Sequence, residues 1–264
     1  MPGANHRIGS HFLPMGELRE ASGAEPVCGK GAGKAMNRDL VSRMKKKWED
    51  QPFRRIPTSG KNGAAVMLCL IPREGEYRIL FEVRAMDLDR QPGEICFPGG
   101  AIEDGETPLM AAVREATEEL RITEGEISVI APLFEIESPG GGNVWCFLAE
   151  LPEYAGTFSR DEVDHVLEVP LGWFFAHPAR QAETFLVTEP GNDYPFELIP
   201  GGRNYPFRRT RRIGYFYDLA EFGEKTSLWG MTAMLVHAFL VRLRRDFPEY
   251  AENAGFIDKN GSAE

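Results

Sequence analysis

Residues 100–122 read Gly-Ala-Ile-Glu-Asp-Gly-Glu-Thr-Pro-Leu-Met-Ala-Ala-Val-Arg-Glu-Ala-Thr-Glu-Glu-Leu-Arg-Ile, a glycine loop running into an amphipathic helix. Thr107 suits the N-cap, and Pro108 suits the first helical position, where a missing N–H costs nothing. Leu109, Ala112, Val113, Ala116 and Leu120 then recur at helical spacing and predict a stripe packed on a core. Beside that stripe, Glu115, Glu118 and Glu119 stand at i, i+3 and i+4 and therefore share one helix face. Like charges so placed repel, so an ordinary solvated helix gains nothing from them. A hard divalent cation reverses the sign, because carboxylate oxygens are what Mg²⁺ prefers.

Upstream, Gly99, Gly100 and Gly105 give the loop the freedom to approach the helix start closely. The short segment Ile95–Phe97 reads as a strand feeding that loop. Before it, Ala64–Ile71 and Tyr77–Ala85 read as two strands joined by a turn at Pro72-Arg73-Glu74-Gly75.

The whole stretch resembles the Nudix box, G-x5-E-x7-R-E-U-x-E-E-x-G-U with U aliphatic. Gly100, Glu106, Arg114, Glu115, Glu118, Glu119 and Ile122 match in register, and Ala116 fills the first aliphatic slot. Arg121 departs from the pattern, standing where the box has its second glycine. A left-handed helix end there would cost an arginine about 1 kcal/mol. The resemblance implies an α/β fold, the Nudix α/β/α sandwich built on a mixed sheet. It also implies metal-dependent hydrolysis of a diphosphate. Glu115, Glu118 and Glu119 would hold Mg²⁺ or Mn²⁺, Glu115 would be a candidate base, and Arg114 would orient the carboxylates by ion pairing. Gly99 and Gly100 would let backbone approach metal or phosphate. A further carboxylate from a downstream loop, completing the metal shell or acting as base, is expected in the family, and Glu162 in Asp161-Glu162-Val163 is the candidate, so Glu115 or Glu162 would accept the water's proton.

Just before the box, Arg90-Gln91-Pro92-Gly93-Glu94-Ile95-Cys96-Phe97-Pro98-Gly99-Gly100 resembles R-x3-G-x3-F-P-G-G, the signature of the coenzyme A pyrophosphatase group. Gly93 and Phe97-Pro98-Gly99-Gly100 match, whereas Asp89 fills the arginine slot and Arg90 comes one place later. Trp229-Gly230-Met231-Thr232-Ala233 is similar to another segment of that group. The implied substrate is coenzyme A or an acyl derivative. ADP-ribose, dinucleotides or nucleoside triphosphates are the alternative, and a nucleotide sensor without catalysis is a third reading. Arg90, Arg208 and Arg209 are candidate substrate-binding cations, since the cluster Arg208, Arg209, Arg211 and Arg212 stands out in an acidic chain and guanidinium forks suit phosphate.

Composition sets the remaining bounds. With 264 residues and a net charge of −10, the chain can bury a sizeable core but lacks the basic surface that general nucleic-acid binding requires. No run of apolar residues is long enough for a membrane span, and the start lacks a secretory layout. Cys28, Cys69, Cys96 and Cys146 form no C-x-x-C pair, which suggests neither zinc nor disulfides and favours a cytoplasmic setting. The partners expected are a small nucleotide-type substrate, no nucleic acid and no membrane, with a homodimer left open. Residues 1–36 read as a disordered leader, with Met36 an alternative start; 37–250 read as one Nudix domain and 251–264 as a flexible tail.

Further elements are expected at 37–50 (a helix whose Lys45-Lys46-Lys47 run is solvated), Ile127–Ile136, Val144–Leu151 and Val166–Val169 (strands), and Leu171–Ala176 (a short helix). A late hairpin is expected from Asp193–Ile199 and Gly214–Leu219, and a core-facing helix from Trp229 to Leu243.

Overall fold

The computed structural model describes residues 38–51, 54–56, 63–137 and 142–252. The expected leader and most of the expected tail lie outside the described residues, as does most of the turn at Ser138–Asn143.

The elements run α1 (Arg38–Trp48), β1 (Arg54–Ile56), β2 (Ala64–Arg73), β3 (Glu76–Arg84), β4 (Ile95–Cys96), β5 (Gly99–Ala101), α2 (Pro108–Leu120), β6 (Ser128–Glu137), β7 (Asn143–Glu150), β8 (Val163–Pro170), α3 (Leu171–Ala176), β9 (Arg180–Val187), β10 (Arg209–Phe216), α4 (Gly230–Asp246) and α5 (Pro248–Glu252). Strands β1 to β8 form one mixed sheet. β1 runs parallel to β6 and β2 parallel to β7, while the other pairings are antiparallel.

Strand β2 lies at the centre and is apolar from Ala64 to Pro72 because both of its faces are covered. Ala65, Met67, Cys69 and Ile71 join Ala111, Ala112, Ala116 and Leu120 of α2 in one core cluster. Leu68 and Leu70 point the other way, into a larger cluster with α1, α3 and α4. Helices thus cover both faces of a mixed sheet, the α/β sandwich expected. No helix among the described residues is long and apolar enough to cross a membrane.

The β2–β3 turn is tighter than expected. Glu74 and Gly75 both have positive φ, 47° and 88°, the two-residue hairpin geometry that matches strand twist, so the strands extend to Arg73 and Glu76. Beyond that hairpin the two strands part. β2 pairs with β5 at Ala64–Val66, and β3 pairs with β4 at Glu82–Val83, so the segment Ile95–Ala101 is wedged into the split between them. The far edge of β3 is held by β8. This wedge brings the glycine loop against α2.

Two expectations are corrected. Leu109 is 37% exposed and Ala111 is fully buried in its place, because α2 lies close on the sheet and only small side chains fit beneath it. The late hairpin joins Arg180–Val187 to Arg209–Phe216, not Asp193–Ile199 to Gly214–Leu219. Pro195 lies within the Asp193–Ile199 region and Pro200 follows it, and proline removes a ladder donor, so it folds as a loop with a single helical turn at Phe196–Leu198. The hairpin is a separate two-stranded sheet leaning on α4. Lys45, Lys46 and Lys47 are exposed, as expected.

Candidate active site

Helix α2 begins as its sequence dictates. The Thr107 hydroxyl accepts from the Met110 N–H at 3.3 Å, and Pro108 follows at the first position. It ends on Arg121 in the left-handed region (φ 54°, ψ 44°), with the cap N–H returned to the Thr117 carbonyl. The position that the box pattern assigns to glycine therefore keeps the glycine conformation with an arginine in it. The Arg121 guanidinium donates to Ser159 Oγ at 3.0 Å, which ties the residue down.

The carboxylates then divide into two kinds. Glu119 is only 3% exposed, and its Oε2 accepts from the Gly99 N–H at 2.7 Å. Burial, together with the charges of Glu115 and Glu162, pushes its carboxyl up to about 7, against the pull of the Gly99 hydrogen bond. Glu82, on β3 beside the wedge, is 1% exposed and shares a hydrogen bond with Glu119. Its pKa rises well above the usual carboxylate range through burial and then through the Glu119 charge. Its Oε1 is buried without a hydrogen bond. Glu115 packs under Gly100: a Cβ on Gly100 would lie 2.4 Å from the Glu115 Cδ. Burial raises the Glu115 pKa, and Arg114 opposes that rise.

Glu118 is different. Its side chain is 58% exposed and reaches Arg114 Nη1 at 3.4 Å. The structure therefore gathers Glu115 and Glu119 with Glu82, and leaves Glu118 on the outer side of the helix.

Arg114 is the fixed point of the loop. It donates to Glu106 (2.8 and 3.1 Å), to Glu115 Oε1 (2.9 Å) and to the Ala101 carbonyl (3.0 Å). These bonds hold Glu106 below its ordinary pKa and fasten residues 101–106 onto α2. The expected i,i+4 pairing with Glu118 is present and is the longest of the set.

From the other side, residues 157–163 are stitched to the end of α2. Thr157 Oγ1 donates to the Leu120 carbonyl at 2.7 Å, and the Ser159 N–H donates to the Glu119 carbonyl at 2.6 Å. Glu162 follows at the start of β8, exposed, and its charge acts on Glu82, Glu115 and Glu119 alike. Arg90 is exposed in the loop before β4, where its carbonyl accepts from Arg84 Nε at 3.3 Å. Arg208 and Arg209 belong to the hairpin on the α4 side, the opposite face of the sheet from α2. There Arg209 lies 4.5 Å over the Phe185 ring. The structure does not bring these two to the carboxylates.

Two residues escaped the sequence reading. Glu82 interrupts the apolar run Ile79-Leu80-Phe81-Glu82-Val83, and a carboxylate in such a run was the available signal. Arg84, two residues on and so on the same face, counters the charge at Glu82 and leaves a cation at the mouth of the cluster. Among the described residues the cysteines Cys69, Cys96 and Cys146 are free, and burial raises all three thiols.

A divalent cation suits this donor set. The groups are all carboxylate oxygens, which hard cations prefer, and the buried ones crowd enough that the pKa of Glu82 is raised and its Oε1 is left without a hydrogen bond. No three acidic, His or Cys side chains among the described residues already stand as a closed cation shell. Arg114 holds Glu115 and Glu118, and Gly99 holds Glu119, so these side chains would have to rotate, on a backbone already placed, to hold a cation.

Residues 61–188 match the NUDIX domain model. The chain is 27% identical over 181 residues to the uncharacterized Nudix hydrolase NudL of Escherichia coli O7:K1, covering 68% of this chain and 82% of that one. It is 28% identical over 184 residues to NudL of Cronobacter sakazakii, with the same coverage. Among solved structures, the Nudix hydrolase RenU of M. smegmatis aligns at 26% identity and a TM-score of 0.36, over 47% of this chain and 78% of that one. The span matched by the model contains the wedge, α2 and the loop that bears Glu162. On that match and those relatives, residues 61–188 are similar to a NUDIX domain and the chain is similar to the Nudix hydrolases.

Proposed function

We propose that this chain hydrolyses coenzyme A or acyl-coenzyme A with Mg²⁺ or Mn²⁺, giving adenosine 3′,5′-bisphosphate and (acyl-)4′-phosphopantetheine. The observation that carries the proposal is the gathering of Glu82, Glu115, Glu119 and Glu162 around Gly99 and Gly100. Glu115 and Glu119 would hold the cation, with Glu118 reaching in from the outer face after leaving Arg114. When bound, the cation supplies charge neutralisation at the diphosphate and acidifies a water.

The protein's own groups do the rest. Arg114 keeps the loop and the carboxylates in register. The side-chain-free face of Gly100 leaves room for the Glu115 carboxyl. Glu162, exposed on the far wall, accepts the proton of the attacking water and passes it to solvent. Arg84 and Arg90 present positive charge at the mouth, where a diphosphate must enter.

The coenzyme A assignment is supported by the loop before the box. Gly93 takes φ 69°, which only glycine adopts freely. Phe97 is 3% exposed and stacks on Phe81 at 5.2 Å, and the Pro98 carbonyl accepts from the Met67 N–H at 2.8 Å. The matching residues thus fix the glycine loop in the sheet. Asp89 in the arginine slot favours the second reading, a substrate without a 3′-phosphate such as ADP-ribose. Coenzyme A, ADP-ribose and NADH assayed side by side with Mg²⁺ decide the matter. Cleavage of coenzyme A above the others supports the proposal, and turnover of only ADP-ribose or NADH replaces it. Tight nucleotide binding without any turnover would make the domain a sensor.

A further inference from the structure

A cavity of about 280 Å³ opens beside Glu162, lined by Ala85, Met86, Asp87, Arg160, Val163 and Asp164. It lies between two segments bonded to each other, since the Ala85 N–H donates to the Glu162 carbonyl at 2.9 Å. Glu162 itself sits between two of the lining residues, Arg160 and Val163. On the proposed function, a substrate whose diphosphate rests on the carboxylates would extend one end toward this opening. The volume falls at the low end for ligand pockets, so it takes one arm of a substrate and not a whole dinucleotide-sized molecule.

The walls say which arm. Ala85 and Val163 are buried and apolar, and Met86, 72% exposed, is an adaptable thioether over the opening. Asp164 is committed to His165 Nδ1 at 2.7 Å. Asp87 and Arg160 have no ion-pair partner among the described residues, and the Arg160 guanidinium lies 6.0 Å over the Phe158 ring, so one acceptor group and one donor group line the same small space. Two carboxylates against one guanidinium disfavour a phosphate dianion. An amide answers both open groups at once, its N–H to Asp87 and its carbonyl to Arg160, with the carbon chain against Ala85, Met86 and Val163.

We propose that this cavity is the subsite for an uncharged, amide-bearing arm, which in coenzyme A is the pantetheine chain, with Asp87 and Arg160 as its specificity-determining residues. The inference rests on the coenzyme A reading of the neighbouring site.

Binding of pantetheine and of adenosine to the full chain, followed by calorimetry without metal, tests the subsite apart from hydrolysis. Pantetheine should bind, adenosine should not displace it, and Asp87→Ala and Arg160→Ala should each weaken it about tenfold. In turnover the same variants should raise KM for coenzyme A about tenfold and leave kcat within about twofold. Both residues are exposed, so the fold is expected to survive, and circular dichroism checks it. Absence of pantetheine binding, displacement by adenosine, or indifference to both substitutions overturns the subsite. If coenzyme A is cleaved but pantetheine does not bind, only the subsite fails; if pantetheine binds and coenzyme A is not cleaved, the hydrolytic reading fails instead.

Discussion

Gly100 and Glu115 occupy space that cannot be shared: a Cβ on the glycine would fall 2.4 Å from the glutamate Cδ. The obstructed atoms are the far end of a flexible side chain, so the protein can yield by moving the carboxylate. Gly100→Ala should therefore leave the melting temperature within about 2 °C of wild type and lower kcat/KM about a hundredfold. Gly99→Ala makes the control. Its Cβ would meet the Ala65 carbonyl oxygen at 2.3 Å, at φ +149°, so backbone must move. A loss of about 2–4 kcal/mol in stability is expected there. Thermal melts and steady-state kinetics of the pair separate a displaced carboxylate from a disturbed sheet.

Glu119→Gln keeps an oxygen for the Gly99 N–H and removes the charge. Because the native carboxyl is buried and pushed up to about 7, stability should be unchanged or higher. Turnover should fall about a hundredfold or more, and Mn²⁺ affinity measured by calorimetry should fall with it. Unaltered Mn²⁺ binding would remove Glu119 from the cation's ligands.

Arg121 balances two effects. Glycine would relieve the left-handed strain, worth about 1 kcal/mol, and would lose the hydrogen bond to Ser159, worth about the same. Arg121→Gly should therefore unfold within about 0.5 kcal/mol of wild type in urea. Arg121→Val keeps the strain, loses the bond and adds a β-branch, so a loss above about 2 kcal/mol is expected.

His237 gives acid sensitivity on the other side of the sheet. Its ring stacks on Tyr215 at 3.9 Å, and burial, aided by the Arg244 charge, pushes its pKa down to about 4. An unfolded histidine titrates near 6.5, so between about pH 6.5 and 4 the unfolded chain binds the extra proton. The contribution is therefore complete above about pH 6.5 and drains away as pH falls toward 4, by at most about 3 kcal/mol. His237→Phe keeps the stack and should flatten the stability profile in that window, as urea melts at stepped pH would show.

Local chemistry was the legible part. A threonine cap, a proline at the first turn and small residues at helical spacing fix α2 from Pro108 to Leu120 without reference to anything distant. The left-handed end at Arg121 was legible only through the box resemblance, which puts a glycine at that offset. Glu82 was not, because its importance comes from the pairing of Glu82 with Cys96 across the wedge, and nothing local forecasts that pairing. Leu109 failed because periodicity gives a face and not the distance to the sheet beneath it. The hairpin partner was misplaced because Arg180–Val187 and Asp193–Ile199 both carry aromatic and aliphatic residues, and the prolines that decide between them act by withholding a donor. Arg208 and Arg209 stood out by charge, and charge carries no address.

The antiparallel pairing of β3 with β8 sets Glu82 opposite Val166, more than eighty positions away along the chain. A ribosome making this protein releases Glu82, then Glu115 and Glu119, and only much later Glu162. Until β8 has emerged and docked, the acidic set lacks its fourth member and β3 has a bare edge. On the proposed function, activity would be absent until β8 is in place, and a chain truncated before Pro170 is expected to show no hydrolysis.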